Sequence, residues 1–171
     1  MYQKDYLLFM IEQFGRLLRR IVSKIAGGDF DDASYEIEQI YRQYLGINSD
    51  LIPSFSYDSL MMLQSADPDT YHDRCITLAD MLRLEGEIFA KNGGTDSARG
   101  RYHKALGVYL TIFLDEEAPA SAEGYREHHA HIDTILEALA QLDAEAAEKN
   151  TGGAVPVPDE IQAKLDRFRA R

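Results

Sequence analysis

The groups of this 171-residue chain with chemistry to offer are five histidines, one cysteine and a surplus of carboxylates. Three of the histidines fall together in Glu127-His128-His129-x-His131-x-Asp133. On a helix, His128 with His131, or Glu127 with His131, share one face, at a spacing that can place two ligands on one ion. Glu127, His128 and His131 are therefore the candidate metal ligands. The pattern is neither that of a zincin nor that of a di-iron protein, because His-Glu-x-x-His and Glu-x-x-His are both absent from the sequence. His128 and His129 also sit one turn before Ile132, at the border of an apolar stripe, so a structural role competes with ligation. His72 and His103 are isolated and read as border or surface residues.

Nucleophilic chemistry finds less support. Cys75 lies in a helical pattern among apolar neighbours, where burial raises the thiol pKa and leaves it inert. Gly93-Gly94 follows a helix rather than a strand and has no Lys-Ser or Lys-Thr after it, so it is not a phosphate loop. The carboxylates form no recognisable pair along the helices. No catalytic residue and no cofactor is assigned, and the chain reads as non-catalytic.

The elements that position these groups are helical throughout. Between Tyr2 and Ala26 the apolar set Tyr6, Leu7, Met10, Ile11, Phe14, Leu17, Leu18, Ile21, Val22 and Ile25 keeps the helical period for about six turns. Gly27-Gly28 ends that helix and Asp29 is expected to cap the next, which carries Ala33, Ile37, Ile40, Tyr41, Tyr44 and Leu45 to Gly46. Asn48 to Phe55 is a connector, and Ser56 caps a short helix with Tyr57, Leu60, Met61 and Leu63 in the core. Asp67-Pro68 starts a helix that runs through Tyr71, Cys75, Leu78 and Leu82 to Phe89. Asn92-Gly93-Gly94 stops it, Thr95 is the expected cap of the following helix, and Ala98, Tyr102, Ala105, Leu106, Tyr109, Leu110 and Phe113 form the facing stripe. Gly86 and Ala98 sit where larger side chains would hold these two helices apart, while Phe89 and Tyr102 supply the bulk. Pro119 breaks the chain, and Ser121 caps a long helix whose buried stripe is Tyr125, Ile132, Ile135, Leu136, Leu139 and Leu142. Residues 149–158 read as a linker, and 159–171 as an amphipathic C-terminal helix with Ile161, Leu165 and Phe168 on one side. Such a tail gains stability only by docking, on its own core or on a second copy.

The net charge of −11 argues against nucleic acid and anionic membrane as partners, since both select Lys and Arg. The charge is uneven, +3 through Ala26 and −14 beyond it. Arg16, Arg19, Arg20 and Lys24 adjoin on the first helix, either as a docking stripe for an acidic surface or as a solvated face. A single cysteine allows no internal disulfide and suits a reducing compartment, and neither a signal peptide nor a membrane span is evident, so the expected location is the cytoplasm.

Leu82-x2-Glu85-Gly86-x2-Phe89, followed by Ala98-x3-Tyr102 and Ala105, resembles a tetratricopeptide repeat, a unit of about 34 residues in two antiparallel helices. Leu82 stands where Trp is usual, Glu85 where Leu is usual, and Leu110 where Pro would end the second helix. Gly28-Asp29-Phe30-Asp31-Asp32-Ala33 resembles the turn and second-helix start of another such unit. Tyr2-x2-Asp5-Tyr6-Leu7 and Met10-Ile11-Glu12-Gln13, together with the central hairpin, resemble a family of small bacterial helical proteins of unknown function. These resemblances imply an all-α fold of antiparallel helical hairpins with repeat-like packing over residues 1–148. They also imply a face on the first arm, carrying Asp80, Arg83, Glu87 and Lys91, that lines a groove for a protein or peptide. The first expectation for function is thus a non-catalytic interaction scaffold, with the long N-terminal helix or the tail as the surface for a homodimer. The alternative is a metal-dependent enzyme or metal sensor built on His128 and His131.

Overall fold

The computed structural model describes residues 2–117 and 125–171, and among these every regular element is helical. The α-helices are α1 (Tyr2–Ala26), α2 (Phe30–Ile40), α3 (Tyr57–Met62), α4 (Tyr71–Lys91), α5 (Thr95–Leu114), α6 (Arg126–Glu148) and α7 (Asp159–Arg169). A π-helical turn, Tyr41–Leu45, extends α2, and a 3-10 segment, Ser49–Ser54, occupies the expected connector. The side chains of Tyr6, Leu7, Met10 and Ile11, and the segment holding Pro119 and Ser121, lie outside the described residues.

Helices α4 and α5 form the centre of the molecule. Every residue of α4 from Cys75 to Leu82 is buried, as is every residue of α5 from Ala105 to Leu110, so neighbours surround both helices. A helix that is apolar all round is one enclosed by others, whereas a single stripe marks a surface helix. The pair meet closely at Gly86, where an added Cβ would lie 2.7 Å from the Tyr102 ring. Glu85 faces Arg101 and Asp80 faces Tyr109 along the same seam. Between them Gly93 takes φ of 80°, a conformation that suits glycine, and the Gly94 N–H donates to the Phe89 carbonyl at 2.8 Å.

Around this pair, Ile21 and Ile25 of α1, Ala33, Ile37 and Ile40 of α2, Ile132, Ile135, Leu139 and Leu142 of α6, and Ile161 and Leu165 of α7 join one continuous core. The C-terminal helix therefore docks on its own chain, against α5. Lys164 Nζ donates to Thr111 Oγ1 at 2.8 Å and lies over the Tyr57 ring, whose hydroxyl donates to Glu160.

Several local expectations are corrected. Helix α4 starts at Tyr71 rather than Pro68, because Asp67 closes a tight turn by accepting from the Asp69 N–H and the Thr70 hydroxyl. Thr95 is the first helical residue rather than the cap, with Gly94 in the cap position, and Asp29 occupies its cap position without a capping hydrogen bond from its side chain. Ser56 does cap α3, accepting from Ser59 N–H at 3.2 Å. Leu63 and Val22, expected in the core, are 51% and 46% exposed.

Candidate metal centre

The cluster of interest forms where α6 crosses α4 and α5. Asp80 of α4 interrupts the run Leu78-Ala79-Asp80-Met81-Leu82 and is 4% exposed. A carboxylate taken out of water needs partners, and here they are chemically specific. Tyr109 of α5 donates its hydroxyl to Asp80 Oδ1. From α6, His128 Nδ1 approaches the same oxygen at 3.4 Å and His131 Nε2 at 3.9 Å. The two imidazoles sit edge to face, centroids 5.4 Å apart, as residues three apart on a helix allow. One ligand atom from each of Asp80, His128 and His131 can be chosen so that all lie within 4.8 Å of one another. Metal–nitrogen bonds of about 2.0–2.1 Å in a tetrahedral site place ligand atoms about 3.4 Å apart. The Asp80–His128 separation fits that spacing, and His131 Nε2, at 3.9 Å from the same oxygen, stands beyond it.

The electrostatics divide the two histidines. Burial disfavours the charged form of His128, but the attraction of Asp80 outweighs it and raises the pKa above the usual histidine range. Burial, and then the Arg83 guanidinium, push His131 the other way, down to about 4, so it is neutral at physiological pH and has a free nitrogen lone pair. Burial and the Asp80 charge hold the Tyr109 hydroxyl well above its ordinary pKa, keeping it a donor. His128 Nδ1 is buried and, 3.4 Å from Asp80 Oδ1, is off the geometry of a well-formed hydrogen bond, and Arg83 Nε on α4 is buried without a hydrogen bond. Orphaned atoms of this kind are uncommon in a settled core and each calls for an explanation.

A second buried network in the same helix pair shows what a purely structural solution looks like. Glu85 Oε2 accepts from Tyr41 Oη and from Arg101 Nε, both at 2.8 Å, linking the π-turn to α4 and α5. These contacts pair the three side chains with one another inside the fold.

The structure rearranges the expected site. His128 and His131 do come together, but Glu127 does not complete them: its side chain is 81% exposed, with Oε1 3.7 Å from His128 Nε2 on the solvent side. Asp80 takes its place. The expected groove face on α4 is not a single exposed row, since Asp80 points into the core and Arg83 and Glu87 are half-buried, leaving Lys91 exposed with its Nζ 3.9 Å from Glu87. The signal that marks Asp80 in the sequence is a lone acid inside an otherwise apolar stretch, eligible to pair with the histidines only through the tertiary fold. Cys75 is fully buried and its thiol is pushed up to about 12 by desolvation, as expected of an inert core residue. His72 Nε2 pairs with Asp115 at 2.9 Å, and His129 lies between the rings of Phe113 and Phe168, tying α6 to α5 and α7. His103 Nε2 is buried without a partner, and burial, then the charge of Arg99, lower its pKa. No described helix is long and apolar enough to cross a membrane. Comparison of the chain with protein-family models, curated proteins and solved structures found no match.

Proposed function

We propose that this protein binds a divalent transition-metal ion through Asp80, His128 and His131. The observation that carries the reading is the convergence of one carboxylate on α4 and two imidazoles on α6, with Asp80 and His128 48 residues apart in sequence and one ligand atom from each of the three side chains within 4.8 Å of the others. Two nitrogens and one oxygen suit Zn²⁺, and three protein ligands leave a coordination position for water or a small molecule, the pattern of reactive rather than purely structural sites. Tyr109, donating to Asp80, would hold the carboxylate in place as an outer partner. Protein stripped with chelator and titrated with Zn²⁺ is expected to take up one equivalent. The His128→Gln and His131→Gln variants are expected to lose that uptake while Glu127→Gln retains it. Equal uptake by all four proteins would refute the assignment.

The interaction-scaffold reading keeps one specific observation in its favour. A cleft of about 640 Å³ runs between α1 and the end of α2, lined by Phe14, Leu17, Ile40 and Tyr44 with Arg16 and Arg20 at its edge. Its basic margin suits an acidic peptide or the acidic remainder of a second copy. The expected packing of repeat-like hairpins belongs to the same reading, supported by the Gly86–Tyr102 contact, and the lone cysteine fits a reducing, cytoplasmic setting. Sedimentation of wild type and Leu17→Glu tests self-association, since a charge in the cleft would dissociate a dimer formed there. A wild type that sediments as a monomer at every concentration would refute self-association through this cleft.

A further inference from the structure

We propose that the pocket between α7, the start of α4 and the end of α5 binds a small organic acid, with its apolar body against Ile112, Leu114 and the Tyr71 ring and its anionic group at Lys164 and Arg167. The pocket shares no residue with the metal cluster, so the inference stands apart from that reading. It encloses about 300 Å³, at the lower end of the range of small-molecule sites. The docking of α7 builds it. Leu165, 2% exposed, anchors that helix on the core, and Lys164 and Arg167, three apart, share one side of it. Lys164 Nζ is fixed over α5 by donating to Thr111 Oγ1 at 2.8 Å.

The support is in how the charges around the pocket are spent. With 29 acidic and 18 basic residues, a cation of this chain has acids to spare as partners. Among the described residues, however, no carboxylate pairs with Lys164 or Arg167. Lys164 donates to Thr111 and lies 5.0 Å from the centroid of the Tyr57 ring, which leaves donors of its ammonium unused. Asp115, the acid that lines the pocket, is engaged elsewhere: its Oδ2 lies 2.9 Å from His72 Nε2 and its Oδ1 accepts from the Glu117 N–H at 3.0 Å. Arg171 takes the carbonyls at the end of α5, donating to Phe113 and Leu114 at 3.4 Å each, and pairs with Glu116 at 3.5 Å. Glu160, one turn before Lys164, accepts from the Tyr57 hydroxyl. Two cations thus border the pocket while these acceptors are already occupied, an arrangement that favours an anion from outside. The guanidinium of Arg167 presents paired donors that match the oxygens of a carboxylate. Ile112 and Leu114, 2% and 9% exposed, offer carbon rather than hydrogen-bonding groups, so a bare inorganic ion leaves that floor unused and an organic acid covers it.

The test titrates full-length protein with benzoate, with benzyl alcohol as its uncharged counterpart and with inorganic phosphate, following backbone amide shifts by nuclear magnetic resonance. Benzoate is expected to bind saturably, to move the amides of Ile112, Leu114 and Arg167, and to bind more tightly than either of the other two. Arg167→Gln should weaken benzoate about tenfold or more, the loss expected of a hydrogen bond to a charged group. Arg169→Gln removes an exposed arginine of α7 that does not line the pocket, and should leave the affinity unchanged. Arg167 is itself exposed, so its replacement should keep the amide spectrum of the folded protein. Absence of saturable benzoate shifts, shifts confined to residues away from the pocket, or equal affinity in wild type and Arg167→Gln would overturn the inference. Phosphate or benzyl alcohol bound as tightly as benzoate would overturn the assignment of an organic acid.

Discussion

Substituting Gly86 by alanine isolates the contact at the centre of the fold. The new Cβ would lie 2.7, 2.8 and 3.1 Å from three carbons of the Tyr102 ring, where carbon atoms ordinarily rest about 3.5–4.0 Å apart. Tyr102 is 4% exposed, so its ring cannot simply swing into solvent, and the helices must separate or the ring must leave its rotamer. Overpacking of this kind costs about 1–3 kcal/mol, set against a gain of about 1 kcal/mol from replacing glycine inside a helix. Gly100 supplies the control, since it is also helical and a Cβ there meets nothing within 4 Å. Gly100→Ala should therefore stabilise by about 1 kcal/mol, and Gly86→Ala should destabilise by about the same amount. The gap of about 2 kcal/mol between the two measures the clash with propensity removed. Urea titration followed by far-ultraviolet circular dichroism reads it directly, and in thermal melts it corresponds to about 4–8 °C. Adding Tyr102→Leu to Gly86→Ala should narrow the gap by removing the ring. Equal stabilisation by Gly86→Ala and Gly100→Ala would refute the close approach of α4 and α5.

Cys75, buried and with its thiol held at about 12, should resist a thiol reagent at pH 8 in native protein and react at once in urea; rapid native labelling would contradict the packing around α4. His131 has a folded pKa of about 4 against about 6.5 unfolded, so its contribution is complete above pH 6.5 and is lost as pH falls toward 4, by at most about 3 kcal/mol. His128, with a raised pKa, acts with the opposite sign, favouring the fold below pH 6.5. Urea midpoints of chelator-treated His131→Asn measured from pH 7.5 to 4.5 should thus fall less steeply than those of wild type, and parallel slopes would show that His131 is not held neutral. Leu165→Ala, at a position 2% exposed, should loosen α7 from α5 and speed proteolysis within residues 149–158, whereas unchanged cleavage would place the stability of the tail elsewhere.

Much of the helical pattern is legible in the sequence because it is local. The periodicity of α6, the turn at Asn92-Gly93-Gly94 and the small-residue contact at Gly86 all follow from spacing and side-chain size. Helix starts are less legible, since Asp67 and Thr95 are good cap residues by type, yet a tight turn takes one and Gly94 displaces the other. The burial of α4 is encoded in a different way, in the unbroken run from Cys75 to Leu82, and that run carries the key to the site. A polar residue on a surface helix needs no explanation, so on an amphipathic outer face Asp80 reads as part of a groove lining. With α4 enclosed from Cys75 to Leu82, the same acid becomes a buried charge that must be paired, and the side chains available to pair it come from α5 and α6. The histidine pair lies within one helical turn and could be seen in one dimension. Their carboxylate could not, because the residue that faces them is 48 positions away while Glu127, next to them in sequence, is turned to water. The site thus depends on the enclosure of α4 from Cys75 to Leu82: a buried stretch delivers the carboxylate to the inner side of α6, where the Asp80 interaction outweighs the burial of His128, while at His131 burial and the Arg83 charge prevail over Asp80.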